Sequence, residues 1–230
     1  MLRAARSRVV ATWQQLHAAD SLRVSLLYPP GPGPRLMSWL RKRWVIFRHP
    51  HAHLEFHGPV YLGPGFSLNM PHGGTFIVGP GVEFRRGFRA ELGAPETRIT
   101  IGRQSVFTYD AILQCTTSID IGSYCAFGQA SLVVDGNHRF RDLDQPVFDQ
   151  GYEFRPVVIS DHAVIGSKST VIAASIGERT YISANSLVSK DIPAYCVVAG
   201  IPGRIIDYFG PPEQEPRIDR ARRAQRRSSD

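Results

Sequence analysis

From Ile101 onward the apolar positions of this chain recur every six residues. The segment IGRQSV FTYDAI LQCTTS places Ile101, Phe107 and Leu113 at equivalent points. Two residues later IGSYCA FGQASL VVDGNH repeats the set with Ile121, Phe127 and Val133. Ile159, Ile165 and Val171 lead a third set, and Ile176, Ile182 and Val188 a fourth, in which Val171 to Ile176 is one residue short. Gly often follows the leading residue (Gly102, Gly122, Gly128, Gly166, Gly177), and a small residue recurs four places after it (Ser105, Cys125, Ser131, Ala163, Ser169, Thr180, Ser186). Leu62 with Leu68, and Val78 with Phe84, carry the spacing upstream.

A period of six suits neither an amphipathic helix nor a hairpin meander. It is the hexapeptide pattern of a parallel β-helix, in which each six is a short strand and a corner and three sixes close one roughly triangular coil. The leading residue points inward and stacks on its equivalent one strand spacing away, about 4.8 Å. Small residues suit the tight corners, and the glycines are expected to take backbone angles that other residues avoid. A single coil cannot bury its own core, so several must stack. The pattern predicts an all-β fold: a solenoid over 54–206, preceded by a helical extension or cap over 1–53 and followed by a basic tail over 207–230. A small irregularity is expected near ELGAPETR and a large excursion over 136–156.

That excursion breaks the repeat at SLVVDGNHRFRDLD, where polar and charged residues replace the apolar leads. A regular solenoid has no internal reason to stop there, so the segment from Asp135 is the place to look for chemistry.

Charge adds a second asymmetry. Residues 1–49 hold nine Lys and Arg against one acidic residue, while 50–210 hold twelve basic and fifteen acidic. The basicity therefore lies at the ends, which suits an anionic membrane or an acidic partner as well as simple solvation. RLMSWLRKRWVIFRH reads either as a capping helix or as a basic, aromatic helix lying on a membrane surface. No apolar run is long enough to span a bilayer, and the N-terminus lacks the apolar stretch of a secretory signal. Three cysteines without CxxC spacing fit reduced thiols in a cytoplasmic setting. His49, His51, His53 and His57 cluster in RHPHAHLEFH, read as the polar entrance to the first coil and not as a metal site.

The string VVISDHAVIGSKSTVIAASIGERTYISANSLVSKDIPAYCVVAGIPGRII resembles the hexapeptide-repeat acyltransferases, especially the sugar O-acetyltransferases and xenobiotic acetyltransferases. The resemblance is strong over 99–206, partial over 54–98 and absent at the ends. It implies a left-handed parallel β-helix, a handedness the period alone does not give. It also implies a homotrimer that uses acetyl-coenzyme A, with no metal and no nucleic acid. A His at the start of the extended loop would serve as general base, here His138, with Asp135 or a backbone carbonyl fixing its tautomer. Asn137, Arg139, Asp142 and Glu153 become candidates for acceptor contacts, or for links within the loop. Ser167 and Ala184 match positions beside the pantetheine arm; Ser189, Lys190 and Arg204 match positions near the nucleotide phosphates. Two departures bear on that groove: Val164 stands where many relatives carry an aromatic residue, and the 171–176 coil is short.

The expected activity is acetyl transfer to a hydroxyl of a sugar or glycan, in the cytoplasm or at the inner membrane face. An amine acceptor, or a non-catalytic scaffold, is the alternative. A metal hydratase on the same fold would need an HxxxxH pair, and His138 and His162 are 24 apart.

Overall fold

The computed structural model describes residues 32–216. The extreme basic segments, 1–31 and 217–230, lie outside the described residues. Contacts divide the chain into Met1–Met37 and Ser38–Asp230, and the second unit holds every described strand.

Three parallel sheets form the three faces of the solenoid. The first face stacks His53–Phe56, Thr75–Val78, Arg98–Ile101, Ser118–Ile121 and Val157–Ile159. The second runs from Tyr61–Leu62 through Glu83–Phe84, Val106–Phe107, Ala126–Phe127, Val164–Ile165 and Tyr181–Ile182 to Cys196–Ala199. The third runs from Ser67–Asn69 through Arg89–Leu92, Ile112–Cys115, Leu132–Val134 and Thr170–Ile172 to Leu187–Val188.

The six-residue leads fall into register. Ile101, Ile121 and Ile159 pair in sequence and continue as single bridges through Ile176 to Ile192. Phe84, Phe107, Phe127, Ile165, Ile182 and Val198 form the second column. Leu113, Val133, Val171 and Val188 form the third. All are buried. The short 171–176 step is the point where the first face shrinks from a strand to that single bridge. Aromatic rings fill the early coils, with Phe107 stacked on Phe127 at 4.3 Å and on Phe84 at 5.0 Å between centroids. Where Phe84 and Phe88 fill one coil, the third face carries the small Ala90.

The repeat glycines have a different reason from the one expected. Gly128 and Gly166 are not among the residues with positive φ. They are needed because a Cβ on Gly128 would lie 2.3 Å from the amide nitrogen of Ser167, and one on Gly166 2.5 Å from that of Ala184. The left-handed corner positions are held by glycine in the early coils, as at Gly65, Gly81 and Gly87, and by ordinary residues further on, among them Gln104, Asp110, Tyr124, His162, Lys168 and Asn185. The corner amides there bond to the adjacent coil, as Tyr124 does to the carbonyl of Arg103 and His162 to that of Ser123, which offsets the backbone strain.

The small corner residues do more than fit. Ser105 Oγ donates to the Gly122 carbonyl and accepts from the Cys125 amide; Ser169 Oγ does the same between Ser183 and Ser186. Buried backbone groups at the corners thus gain partners from a hydroxyl ladder.

The second face is closed at both ends. At the first coil the helix Pro32–Arg48 covers the sheet edge: Ser38 Oγ accepts from the Leu62 amide, Arg41 donates to the Leu62 carbonyl, and Val45 joins the core. At the last, the strand Arg204–Tyr208 turns back antiparallel on Cys196–Ala199. Asp207 and Tyr208, assigned to the tail by the pattern alone, belong to this closing strand, and Tyr208 is buried.

Candidate functional site

The excursion leaves the corner between the third and first faces. It begins as an antiparallel hairpin in which Gly136, Asn137 and His138 pair with Phe154, Glu153 and Tyr152. Gly136 is required at its base, since a Cβ there would lie 2.1 Å from the Phe154 ring. Backbone bonds from Arg155 to the Asp135 carbonyl, and from Arg139 to that of Gly151, close the ladder at either end. Beyond it, Gln150 gathers the loop, accepting from the Asp142 amide and donating to the carbonyls of Asp142 and Gln145.

His138 is half-buried on this hairpin. Its ring packs on Tyr152 at 4.3 Å and meets the edge of Phe148 at 5.7 Å, and Tyr152 stacks in turn on Phe154. Its Nδ1 is buried and has no hydrogen-bond partner among the described residues. An unpaired buried nitrogen is costly unless something else engages it.

Two cavities meet at this ring. One, of about 690 Å3, lies between the hairpin and the outer surface of the third face, and is lined by Glu91, Gln114, Thr116, Asn137, His138 and Tyr152 among others. It contains no Lys or Arg, and Gln114 donates to Glu91 across its floor at 3.0 Å. The other, of about 480 Å3, lies within the loop and brings Arg139, Arg141, Asp142 and Glu153 around His138.

The expectation that Asp135 orients His138 is corrected. The Asp135 carboxylate is buried and is bonded to the preceding coil. It accepts from the amides of Thr116 and Thr117, from the Thr117 hydroxyl at 2.7 Å and from the Cys115 thiol. With those donors converging on it, it holds the corner of the preceding coil and leaves His138 Nδ1 unpaired. Asp142 is also partly committed, because its Oδ1 accepts from the Asp144 amide. Asn137 Oδ1 accepts from the His138 amide, which fixes the backbone beneath the ring.

The positions expected to meet coenzyme A fall in two places. Ser167 and Ala184 are exposed and stack on the corner after the second face, where Ser167 Oγ accepts from the Gln129 amide. Ser189 and Lys190 are exposed on the corner after the third face, the edge that carries the hairpin two coils earlier. Arg204 is exposed on the closing strand. Within one chain, Ser167 and Ala184 are therefore on a different corner from His138. Val164 pairs with Tyr181 of the next coil, so an aromatic residue stands one strand away from it.

One further link ties the hairpin to the later coils. Arg155 forms an ion pair with Asp191 and reaches the Ala173 carbonyl. Its hydrogen bond, with that of the Ser175 amide, holds the Asp191 carboxyl below the usual carboxylate range. The three thiols are buried, and burial pushes Cys125 and Cys196 up to about 11 and Cys115 higher still, with Asp135 adding to the effect there. They are packing residues, as the repeat positions of Cys115 and Cys125 suggest. No group of three or more His, Cys, Asp or Glu side chains suited to a metal ion occurs among the described residues.

Sequence reasoning missed Glu91, Gln114, Thr116, Tyr152 and Phe154. The first two are outward positions of regular strands, with no signal in the six-residue pattern. Tyr152 and Phe154 carried one, since the alternation YEF marks a strand able to pair with the segment around His138.

Comparison with known proteins bears on the fold. No family model matches the chain. The solved structure of AntD, an N-acyltransferase from Bacillus cereus in complex with dTDP and 3-hydroxybutyryl-CoA, superposes with a TM-score of 0.61 at 16% identity, covering 84% of this chain and 96% of that one. A hexapeptide-repeat-containing acetyltransferase from Vibrio cholerae, VCA0836, complexed with acetyl-coenzyme A, gives 0.50 at 18% identity, over 75% of this chain and 79% of that one. The chain has the hexapeptide-repeat acyltransferase fold. In sequence, it is 26% identical over 166 residues to a Mycobacterium tuberculosis protein named Probable acetyltransferase Rv3034c. That match takes in 71% of this chain but 55% of the relative, so the chain spans about half the length of this curated relative. The resemblance carried by 99–206 thus agrees with the relatives in sequence and the neighbours in fold.

Proposed function

We propose that the chain is an acyl-coenzyme A-dependent O-acetyltransferase that acetylates a hydroxyl of a sugar or glycan, with His138 as general base. The observation that carries this reading is the buried, unpartnered Nδ1 of His138 at the junction of two cavities. The names of the relatives and structural neighbours support the reaction class.

A hydroxyl is a weak nucleophile at neutral pH. A neutral imidazole can take its proton while the oxygen attacks the thioester carbonyl. The Tyr152 and Phe148 rings hold the imidazole in place, and the Asn137 bond to the His138 amide fixes the backbone beneath it. The oxyanion that develops needs N–H donors, which backbone amides of the corners can supply. The proton then passes to the leaving thiolate, so the base is restored and no covalent intermediate on the protein is required.

Assembly as a homotrimer completes this scheme. Ser167 and Ala184 sit on one corner and His138 on another, so a second copy packed alongside would bring the first pair to the hairpin of its neighbour. Lys190 and Arg204 would meet the phosphates of the donor. An amine acceptor is the second reading. It is favoured by Glu91, whose carboxylate lies in a cavity without Lys or Arg.

Calorimetric titration with acetyl-coenzyme A, on wild type and on Lys190→Glu and Arg204→Glu, tests the donor. Binding that weakens in both variants supports the reading. No binding at millimolar donor sinks it. With binding in hand, a panel of sugars and amino sugars separates oxygen from nitrogen acceptors.

A further inference from the structure

The helix that closes the first coil is oriented contrary to an ordinary amphipathic helix. Ser38, Arg41, Lys42 and Val45, at spacings of three, four and seven, face the solenoid. Ser38 and Arg41 bond to the backbone of Leu62, and Lys42 lies 5.7 Å from the centroid of the Phe56 ring. The edge strand Tyr61–Leu62 needs donors and acceptors, so the polar side of the helix turns inward. The opposite side is left with Leu40, Trp44 and Phe47, again at spacings of four and seven. Trp44 is 58% and Phe47 76% exposed, and their rings stack on each other at 6.0 Å. Trp39 and Ile46 flank them, both exposed.

Charge says what suits this surface. The helix carries Arg35, Arg41, Lys42, Arg43 and Arg48 and no acidic residue, with Arg41 and Lys42 turned toward the solenoid. Arg43 sits on the outer side with its guanidinium 4.6 Å from the Trp39 ring. Residues 50–210, by contrast, have more acidic than basic residues. Cations and exposed aromatic rings are thus combined on this helix, at one end of the solenoid. Water leaves such a stripe unsatisfied, and a protein partner would have to offer both an acidic patch and apolar pockets for the rings. The headgroup zone of an anionic bilayer accommodates both at once: phosphates take the Arg side chains, and the acyl boundary takes Trp, Phe and Leu.

We infer that the outer side of the helix Pro32–Arg48 docks this chain on an anionic membrane surface, lying in the interface without crossing it. No described helix is long and apolar enough to span a bilayer. The inference is independent of the acetyltransferase reading, because none of these residues lines the cavities at His138.

Co-sedimentation of the full chain with lipid vesicles tests it. Phosphatidylcholine vesicles are compared with vesicles of equal parts phosphatidylcholine and phosphatidylglycerol, for wild type, Arg43→Glu and the double variant Trp44→Glu/Phe47→Glu. All three side chains are exposed, so circular dichroism and melting temperature should stay at wild-type values. The expected result is binding to the mixed vesicles that falls with salt, drops about tenfold in Arg43→Glu and is lost in the double variant. Failure to bind the mixed vesicles overturns the inference, as does equal binding to both vesicle types. So does a double variant that binds like wild type. A double variant whose oligomeric mass changes in light scattering would assign the stripe to a protein contact, and would overturn it too.

Discussion

Two successive coils turn the same corner, from the third face to the first, in opposite ways. The earlier crosses in Thr116 and Thr117 between Cys115 and Ser118; the later takes the whole of 135–156. The tight corner is held by Asp135, the residue that opens the long one. Its side chain reaches back to bond the Cys115–Thr117 turn, while its backbone carbonyl accepts from Arg155 at the foot of the hairpin. One residue thus braces the regular corner and marks the departure of the irregular one. Asp135 belongs to the scaffold, and His138, three residues on, is the proposed base.

That division can be broken experimentally. The largest effect is expected from His138→Ala, which should lower acyl transfer by about 10²–10⁴-fold and leave the urea midpoint near wild type. Steady-state kinetics on the acceptor found by screening checks the first part and urea denaturation the second. Asp135→Ala should do the reverse. It strands the amides of Thr116 and Thr117 in a buried site, and a loss of about 3 kcal/mol is expected from denaturant titration. A variant that kept full stability and lost only rate would return Asp135 to the catalytic group. Thr117→Val removes a single hydroxyl donor to that carboxylate and should cost about 1–2 kcal/mol, with the turnover of the folded fraction unchanged.

The smallest effect concerns the foot of the hairpin. Arg155 and Asp191 are about half exposed, so Asp191→Asn should cost less than about 1 kcal/mol near pH 7. Because the folded Asp191 carboxyl is held below its ordinary value, the stability it adds is present above about pH 4. It is lost as pH falls through the lower folded value. Wild type and Asp191→Asn should therefore converge in stability as the solution is acidified below that point, which thermal melts across a pH series would show.

The comparison also explains what the sequence could disclose. The inward leads were legible because each lies one period from the next and all point to the same core, so that Ile101, Ile121 and Ile159 announce a column before any coordinate is known. The break at His138 was legible for the complementary reason, since an apolar lead is missing where one is due. What escaped depends on neighbours across coils. The bonds of Asp135 go to residues 18 to 20 positions earlier, at a corner whose geometry the period does not encode. The left-handed backbone at Tyr124, His162 and Lys168 has no composition signal, because the strain is offset by amide bonds from adjacent coils and not by glycine. The inverted helix was half legible. Its basic and aromatic character is plain in RLMSWLRKRWVIFRH, but which side turns inward follows from the hydrogen-bond needs of Leu62, an edge residue in another element.

The closure of the two ends bears on growth. A parallel solenoid is open by construction: each terminal coil offers the next one its edge, and a second molecule can supply that coil as readily as the same chain can. Here Ser38 and Arg41 occupy the Leu62 edge at one end, and the antiparallel return of Arg204–Tyr208 replaces a parallel template at the other. These two short segments leave neither edge of the second face free as a template for a further parallel strand.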